Sequence, residues 1–262
     1  MDVWENAQAH EMDYWMNCLG MRAWGEFTKQ EMYGREMGLW HDYGRNEAGV
    51  DLLGEMDLRG RCVLDVGGGP VSMTLRCINA GPLVVVDPCA WPPSVERRYR
   101  NYGIEFVHAA GEDLDTALAD CRYFDEVWCY NVLQHVKDPA KIVKNALARL
   151  TRNGVFRIFE WVWIKADDCH PHVLSPEGIQ SWLTGTRCIK VGVPRLKEYW
   201  SDANAFTGIF TRCNHALPVA PVGPLVGRLP TGTAAPPETA PSTDCAADPG
   251  AAADPGAGTG HC

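Results

Sequence analysis

Residues able to do chemistry stand at the ends of apolar runs. Cys62 to Val66 is one such run, and it passes directly into Gly67-Gly68-Gly69-Pro70. Without Cβ atoms, these glycines permit a tight turn and let a ligand approach backbone N–H groups. Pro82 to Val86 is a second apolar run, ending at Asp87-Pro88. An acidic side chain at that spacing can accept hydrogen bonds from ribose hydroxyls. A glycine turn alone is a weak signal; joined to a strand-terminal carboxylate, it points to an adenosine-containing ligand. A dinucleotide fingerprint would carry a third glycine or alanine at position 72, where Ser72 stands after Pro70. That counts against an NAD(P)-dependent oxidoreductase, which is one alternative reading of the same sheet.

Further candidates follow the later runs. Asn131-Val132-Leu133-Gln134-His135 comes after Phe124 to Tyr130. His135 either packs that loop or meets a substrate and its proton. Glu160, at the end of a fifth run, is a second candidate proton acceptor. Gly111-Glu112-Asp113 follows the third run, where the two acids equally suit a helix N-terminus. Cys169-His170-Pro171-His172, with Asp167 and Asp168 before it, offers ligand atoms, but no second cluster has metal-site spacing. We expect a substrate-facing loop there and no metal.

The elements that must position these residues alternate. Strands are expected at Cys62 to Val66, Pro82 to Val86, Ile104 to Ala109, Phe124 to Tyr130, Val155 to Trp163, Cys188 to Val193 and Ala205 to Arg212. Helices are expected at Val71 to Ala80, with Pro70 near its first position, and at Val95 to Asn101. A short helical or turn segment fits Glu112 to Asp120. Asp138-Pro139 opens another helix with Ile142, Val143, Ala146, Leu147 and Leu150 on one face, and Ser175 caps one through Leu183. Asn153-Gly154 reads as a turn. The alternation implies an α/β fold, a mostly parallel sheet with helices on both faces, closed by an antiparallel hairpin. Residues 1–57, rich in Trp and Tyr, read as an N-terminal helical cap on a domain spanning 58–216, with one or two aromatics closing over the substrate. Residues 217–262 are dominated by Pro, Ala, Gly and Thr and read as a disordered tail.

Taken together, the motifs resemble one family. Val63-Leu64-Asp65-Val66-Gly67-Gly68-Gly69-Pro70 looks like the first motif of class I S-adenosylmethionine-dependent methyltransferases, and Val84 to Asp87 resembles their acidic second motif. Phe124-Asp125-Glu126-Val127 and Asn131 to Val136 resemble the fourth strand and following loop of the small-molecule branch, and Gly154 to Ile158 fits the next strand. The resemblance covers Arg61 to Arg212. It implies a Rossmann-like seven-stranded sheet with an antiparallel last strand, S-adenosylmethionine as cofactor, and methyl transfer to a small-molecule or sugar-like acceptor. It also implies that Asp65, Gly67, Gly68 and Gly69 shape the site for the methionine part and that Asp87 binds ribose. Gly111, Glu112 and Asp113 would flank adenine, with Asn131 and Val132 beside the sulfonium. The family often has an acidic residue where Ala110 stands, a departure at the adenine contact. For a hydroxyl acceptor, His135 is the first candidate base and Glu160 the second.

Composition narrows the partners. The 262 residues carry a formal net charge of −9, which disfavours nucleic acid and anionic membrane as partners. No apolar run approaches the ~18 residues of a membrane-spanning helix. Met1 to Leu19 carries Asp, Glu and His where a secretory segment would be basic and then apolar, so the expectation is cytoplasmic. The 11 cysteines lack a Cys-x-x-Cys pair and read as reduced thiols. A non-catalytic cofactor-binding or scaffold protein, recruiting a partner through the tail, is the other alternative. Oligomeric state is not encoded in these patterns.

Overall fold

The computed structural model describes residues 3–20, 24–44, 54–118, 122–196 and 204–213, with side chains left undescribed at 17–20 and 24–29. The expected tail, and Cys245 and Cys262 within it, lie outside the described residues. In chain order the elements are α1 (Val3–Gly20), α2 (Trp24–Glu36), α3 (Leu39–Asp42), β1 (Met56–Asp57), β2 (Val63–Val66), β3 (Cys77–Ile78), β4 (Leu83–Asp87), α4 (Pro93–Asn101) and β5 (Ile104–His108). They continue with α5 (Leu114–Ala117), β6 (Phe124–Tyr130), α6 (Pro139–Ala148), β7 (Leu150–Val162), α7 (Pro176–Trp182), β8 (Thr186–Gly192) and β9 (Asn204–Arg212).

Seven strands form one sheet in the order β5-β4-β2-β6-β7-β9-β8. It is parallel except at β9, which runs antiparallel to both β7 and β8. The pleat sorts side chains by alternation. Val63, Val85, Trp128, Phe159 and Trp161 face a core shared with α2, α3 and α4. Leu64, Val66, Val84, Val86, Val127 and Ile158 face a core with α6 and α7. Strands buried on both faces read as continuous Val/Ile/Leu runs, which is why the sequence shows them clearly. Asp138 and Ser175 cap α6 and α7 as expected, accepting from the N–H groups of Lys141 and Gly178.

Two expectations are corrected. No helix spans Val71 to Ala80; the chain makes one 3-10 turn, Met73–Arg76, then extends as β3 and pairs with β1 in parallel. Ser72 is the N-cap of that turn. Its hydroxyl donates to Asp65 Oδ2 at 2.5 Å and accepts from the Thr74 N–H at 2.9 Å, which caps and anchors the 3-10 turn. The residues after the turn extend because Cys77 and Ile78 pair with β1. Arg76 is drawn sideways to Gln30 Oε1 and the Gly54 carbonyl. The expected turn at Asn153-Gly154 lies inside β7, where pairing with β6 skips from Phe124–Leu150 to Glu126–Val155 as an irregularity.

Candidate active site

The carboxyl ends of β2, β4 and β6 border a cleft of ≈ 670 Å³, part of it open to solvent. Its floor is the glycine turn. Gly67 and Gly69 have φ of 71° and 60°, the left-handed region that side chains disfavour. A Cβ on Gly67 would stand 2.5 Å from Val132 Cγ2, whereas one on Gly69 would meet nothing within 4 Å. The turn is thus packed on one side and open to the cleft on the other.

Asp87 braces this floor. Its Oδ2 accepts from the Gly69 N–H at 2.9 Å; its Oδ1 accepts from the Cys89 N–H at 2.9 Å and from Trp91 Nε1 at 2.8 Å. Asp87 lines the cleft while fixing both the glycine turn and the turn after β4. Two tyrosines add to the brace. Tyr99 Oη donates to the Gly69 carbonyl at 2.7 Å and accepts from the Ser72 N–H, and Tyr130 Oη accepts from the Met73 N–H.

The loop after β6 supplies the opposite wall. Asn131 takes φ 56°. Val132 and Leu133 then aim their N–H groups at Glu160 Oε1, 2.9 and 3.0 Å away. Glu160 is fully buried and does not line the cleft. Its expected role as a proton acceptor therefore gives way to that of a positioning residue, because both oxygens already accept from the loop backbone. His135 lines the cleft. Its Nδ1 lies 2.8 Å from the Cys169 carbonyl.

The remaining expected residues stand apart from the cleft. Asp65 is buried beneath the glycines. Its Oδ2 would lie 2.7 Å from a Cβ on Gly68, and its Oδ1 has no partner. Gly111 is pressed between Ile142 and Val66. Glu112 accepts from the Lys137 and Asp138 N–H groups, tying the β5 and β6 loops together, and Asp113 pairs with Lys141 at 3.8 Å. His170 is bound to Asp167 at 2.8 Å, and no group of three or more potential metal ligands occurs among the described residues.

Residues with no motif of their own complete the site. From α1 and α2 come Gln8, Glu11, Trp15, Gln30 and Tyr33, all lining the cleft. Gln8 spans it, donating to the His135 carbonyl at 3.0 Å and accepting from the Cys89 thiol at 3.0 Å. Trp15 and Tyr33 are two of the front aromatics. The polar residues carried no sequence signal, because only tertiary placement brings them there.

Burial sets the ionisation of this layer. It pushes Asp65 up to about 7, against hydrogen bonds from Ser72 and Tyr130, and Glu160 up to about 8, against the Val132 and Leu133 N–H groups. Each acid keeps a proton in the folded protein at pH values where the unfolded chain has lost it. The folded state therefore loses stability as pH rises from about 4 towards 7 for Asp65 and 8 for Glu160, and no further beyond. Asp42 and Asp167, both lowered, act in the opposite sense and only below about pH 4. The thermal midpoint is expected to be higher at pH 5.5 than at pH 8, and Asp65→Asn should flatten that slope; a midpoint that climbs over this range contradicts the assignment.

Residues 64–158 match a family model described as a methyltransferase domain. A ubiquinone biosynthesis O-methyltransferase of Coxiella burnetii is 27% identical over 101 residues, which cover 38% of this chain and 43% of that protein. The chain thus matches less than half the length of such curated relatives. Among solved structures, the Burkholderia thailandensis 1,6-didemethyltoxoflavin-N1-methyltransferase, with 1,6-didemethyltoxoflavin and S-adenosylhomocysteine bound, superposes with a TM-score of 0.56. It is 12% identical, over 80% of this chain and 88% of that one. The N-methyltransferase NodS of Bradyrhizobium japonicum gives a TM-score of 0.46 at 15% identity, over 70% and 86% of the two chains. Residues 64–158 thus match a methyltransferase domain, and the seven-stranded sheet that carries them shares its fold with the Burkholderia thailandensis enzyme.

Proposed function

We propose that this protein transfers a methyl group from S-adenosylmethionine to a small-molecule acceptor. The observation that carries the reading is the glycine turn braced by Asp87 and followed by a 3-10 turn instead of a helix. A dinucleotide pyrophosphate is held at a helix N-terminus below such a turn; a nucleoside thioether has no phosphate and needs none. The residues fit the cofactor: the open face at Gly69 admits a ligand, and Asp65, buried beneath the turn and bonded to the Ser72 hydroxyl, fixes its shape.

In this reading Gly67, Gly68, Gly69 and Asp65 shape the methionine end, Asp87 meets the ribose, and Asn131 and Val132 flank the sulfur. Gly111, Glu112 and Asp113 support the adenine side from behind the wall, Glu112 by fixing the loop that carries Lys137 and Asp138. Bound S-adenosylmethionine supplies a methyl group already activated by positive sulfur. What the chain adds is alignment. Trp15, Tyr33 and Tyr130 give the cleft aromatic walls, which favour a cation. Gln8, spanning the two loops, excludes water and fixes the acceptor's approach. A cleft crossed by α1 suits a small acceptor better than a nucleic acid. No helix among the described residues is long and apolar enough to cross a membrane; we place the enzyme in the cytoplasm, with residues 1–57 as the cap on the 58–216 domain and 217–262 as a tail.

Calorimetric titration tests this. S-adenosylmethionine and S-adenosylhomocysteine should bind the full chain and NADH should not; the reverse order of affinity overturns the reading in favour of an oxidoreductase. In Asp87→Asn an amide N–H faces the Gly69 N–H or the Cys89 and Trp91 donors, so both ligands should weaken by about 1–3 kcal/mol. Unchanged affinity would remove Asp87 from the site.

A further inference from the structure

The charged side chains of the cleft are of one sign. Glu11 and Asp87 are its carboxylates, and among the described residues that line it there is no lysine or arginine. Asp87 is engaged by three N–H donors, from Gly69, Cys89 and Trp91. Glu11 comes from α1, where Gln8, Glu11 and Trp15 are spaced i, i+3 and i+7, so one face of the helix carries all three into the cleft. Glu11 Oε1 accepts from Trp15 Nε1 at 2.7 Å, which holds the carboxylate beside the indole. Its Oε2 stands 3.6 Å from His135 Nδ1, longer than a hydrogen bond. The side chain keeps 22% of its surface exposed, so an incoming group can reach it.

Aromatic rings surround that charge. Trp15, Tyr33 and Tyr130 line the same cleft; the Tyr33 and Tyr130 centroids are 4.7 Å apart, and Phe159 backs Tyr33 at 5.0 Å. Burial first, and then the Glu11 charge, hold the Tyr33 hydroxyl well above the usual tyrosine range, so the carboxylate is felt across the cleft. A part-enclosed cleft lined by one sign of charge concentrates ions of the other sign, and aromatic rings add to that preference when the ion is a cation. An acceptor bearing a carboxylate or phosphate would meet like charge here.

Resting on the methyl-transfer reading above, we infer that the acceptor is a small molecule carrying a cationic nitrogen, held by the Glu11 carboxylate and the Trp15, Tyr33 and Tyr130 rings. In that reading the cofactor's amino-acid end lies over the glycine turn, and Glu11 faces the acceptor's side, next to the loop after β6 where the sulfur sits. An ammonium nitrogen has no lone pair to offer a methyl carbon. The charged group is therefore a handle, and a second atom of the acceptor takes the methyl. Glu11 is the specificity-determining residue: it selects which molecule enters and touches no reacting atom.

The test titrates two probes into the full chain saturated with S-adenosylhomocysteine, read by the NMR signal of the Trp15 indole N–H, which is assigned by its loss in Trp15→Phe. Choline and 3,3-dimethyl-1-butanol share one shape and differ by a positive nitrogen in place of a carbon. Choline should bind at least about tenfold more tightly. Glu11→Gln keeps an acceptor for the Trp15 N–H but removes the charge, and should erase most of that preference; Glu11→Asp should restore part of it. The affinity for 3,3-dimethyl-1-butanol should be the same in both variants as in the wild type, which checks that the cleft is intact. No binding of choline, equal binding of the two probes, or a preference that Glu11→Gln leaves in place overturns the inference. A fall in S-adenosylhomocysteine affinity in Glu11→Gln as large as the fall for choline would place Glu11 on the cofactor's own ammonium and overturn it too. Failure of S-adenosylhomocysteine to bind the wild type would instead sink the methyl-transfer reading, and the acceptor assignment with it, whatever the charge preference of the empty cleft.

Discussion

Replacing Arg157 by methionine is expected to cost about 3–5 kcal/mol of folding stability, read as a drop in the denaturant midpoint. Arg157 is buried on β7 under α3, where its Nε donates to Glu126 Oε2 at 2.9 Å and its Nη1 to the Met37 carbonyl at 3.0 Å. Nη2 reaches Asp42 at 2.5 Å. Glu126, fully buried on β6, also accepts from Trp128 Nε1 at 2.8 Å and from Tyr43 Oη. Burial and the charge of Glu126 push the Tyr43 hydroxyl up to about 12, so it stays a donor. Removing Arg157 alone leaves the Glu126 charge buried without its main cation, the situation in which such losses are largest. The double replacement Glu126→Leu/Arg157→Met removes both charges and should recover most of the loss. If the single variant matches wild type, the cluster does not hold α3 on the sheet. Because α2 precedes α3 and carries Gln30 and Tyr33 into the cleft, Arg157→Met should also weaken ligand binding.

Gly67→Ala is the second large effect. The new Cβ would lie 2.5 Å from Val132 Cγ2, and Val132 is β-branched and held by its N–H to Glu160, so it has little room to yield. The φ of 71° adds about 1–2 kcal/mol for any side chain, and overpacking about 1–3 more. Prying Val132 from the turn distorts the wall beside the sulfur position, so S-adenosylhomocysteine affinity should fall at least tenfold. Gly67→Ala/Val132→Ala relieves the collision but not the backbone term, and should regain only part of the affinity. An unaffected Gly67→Ala would show that the turn tolerates a side chain and does not define the cleft.

Much of this was legible in the sequence, for identifiable reasons. Strands buried on both faces declare themselves as apolar runs, and β6 has the bounds expected for it, Phe124 to Tyr130. The glycine turn and Asp87 were legible because their chemistry is local. The supposed helix after Pro70 was not. Its outcome turned on the buried Ser72–Asp65 bond and on the pairing of β3 with β1, neither of which has a periodic signature. Glu126 and Arg157 looked like ordinary charges in strands; only the register that sets Trp128 opposite Arg157, with α3 above, turns them into a buried pair. Glu11 and Gln8 belong to the same class, since residues so far from the glycine turn in sequence meet it only through the packing of α1.

The measurement that bears most directly on the account is a crystal structure of the full chain grown with S-adenosylhomocysteine. Its ribose hydroxyls should lie within hydrogen-bond distance of the Asp87 carboxylate, with the amino-acid end over Gly67 to Gly69 and the sulfur facing Asn131 and His135. An empty cleft at saturating ligand, or a ligand seated away from Asp87, would contradict it.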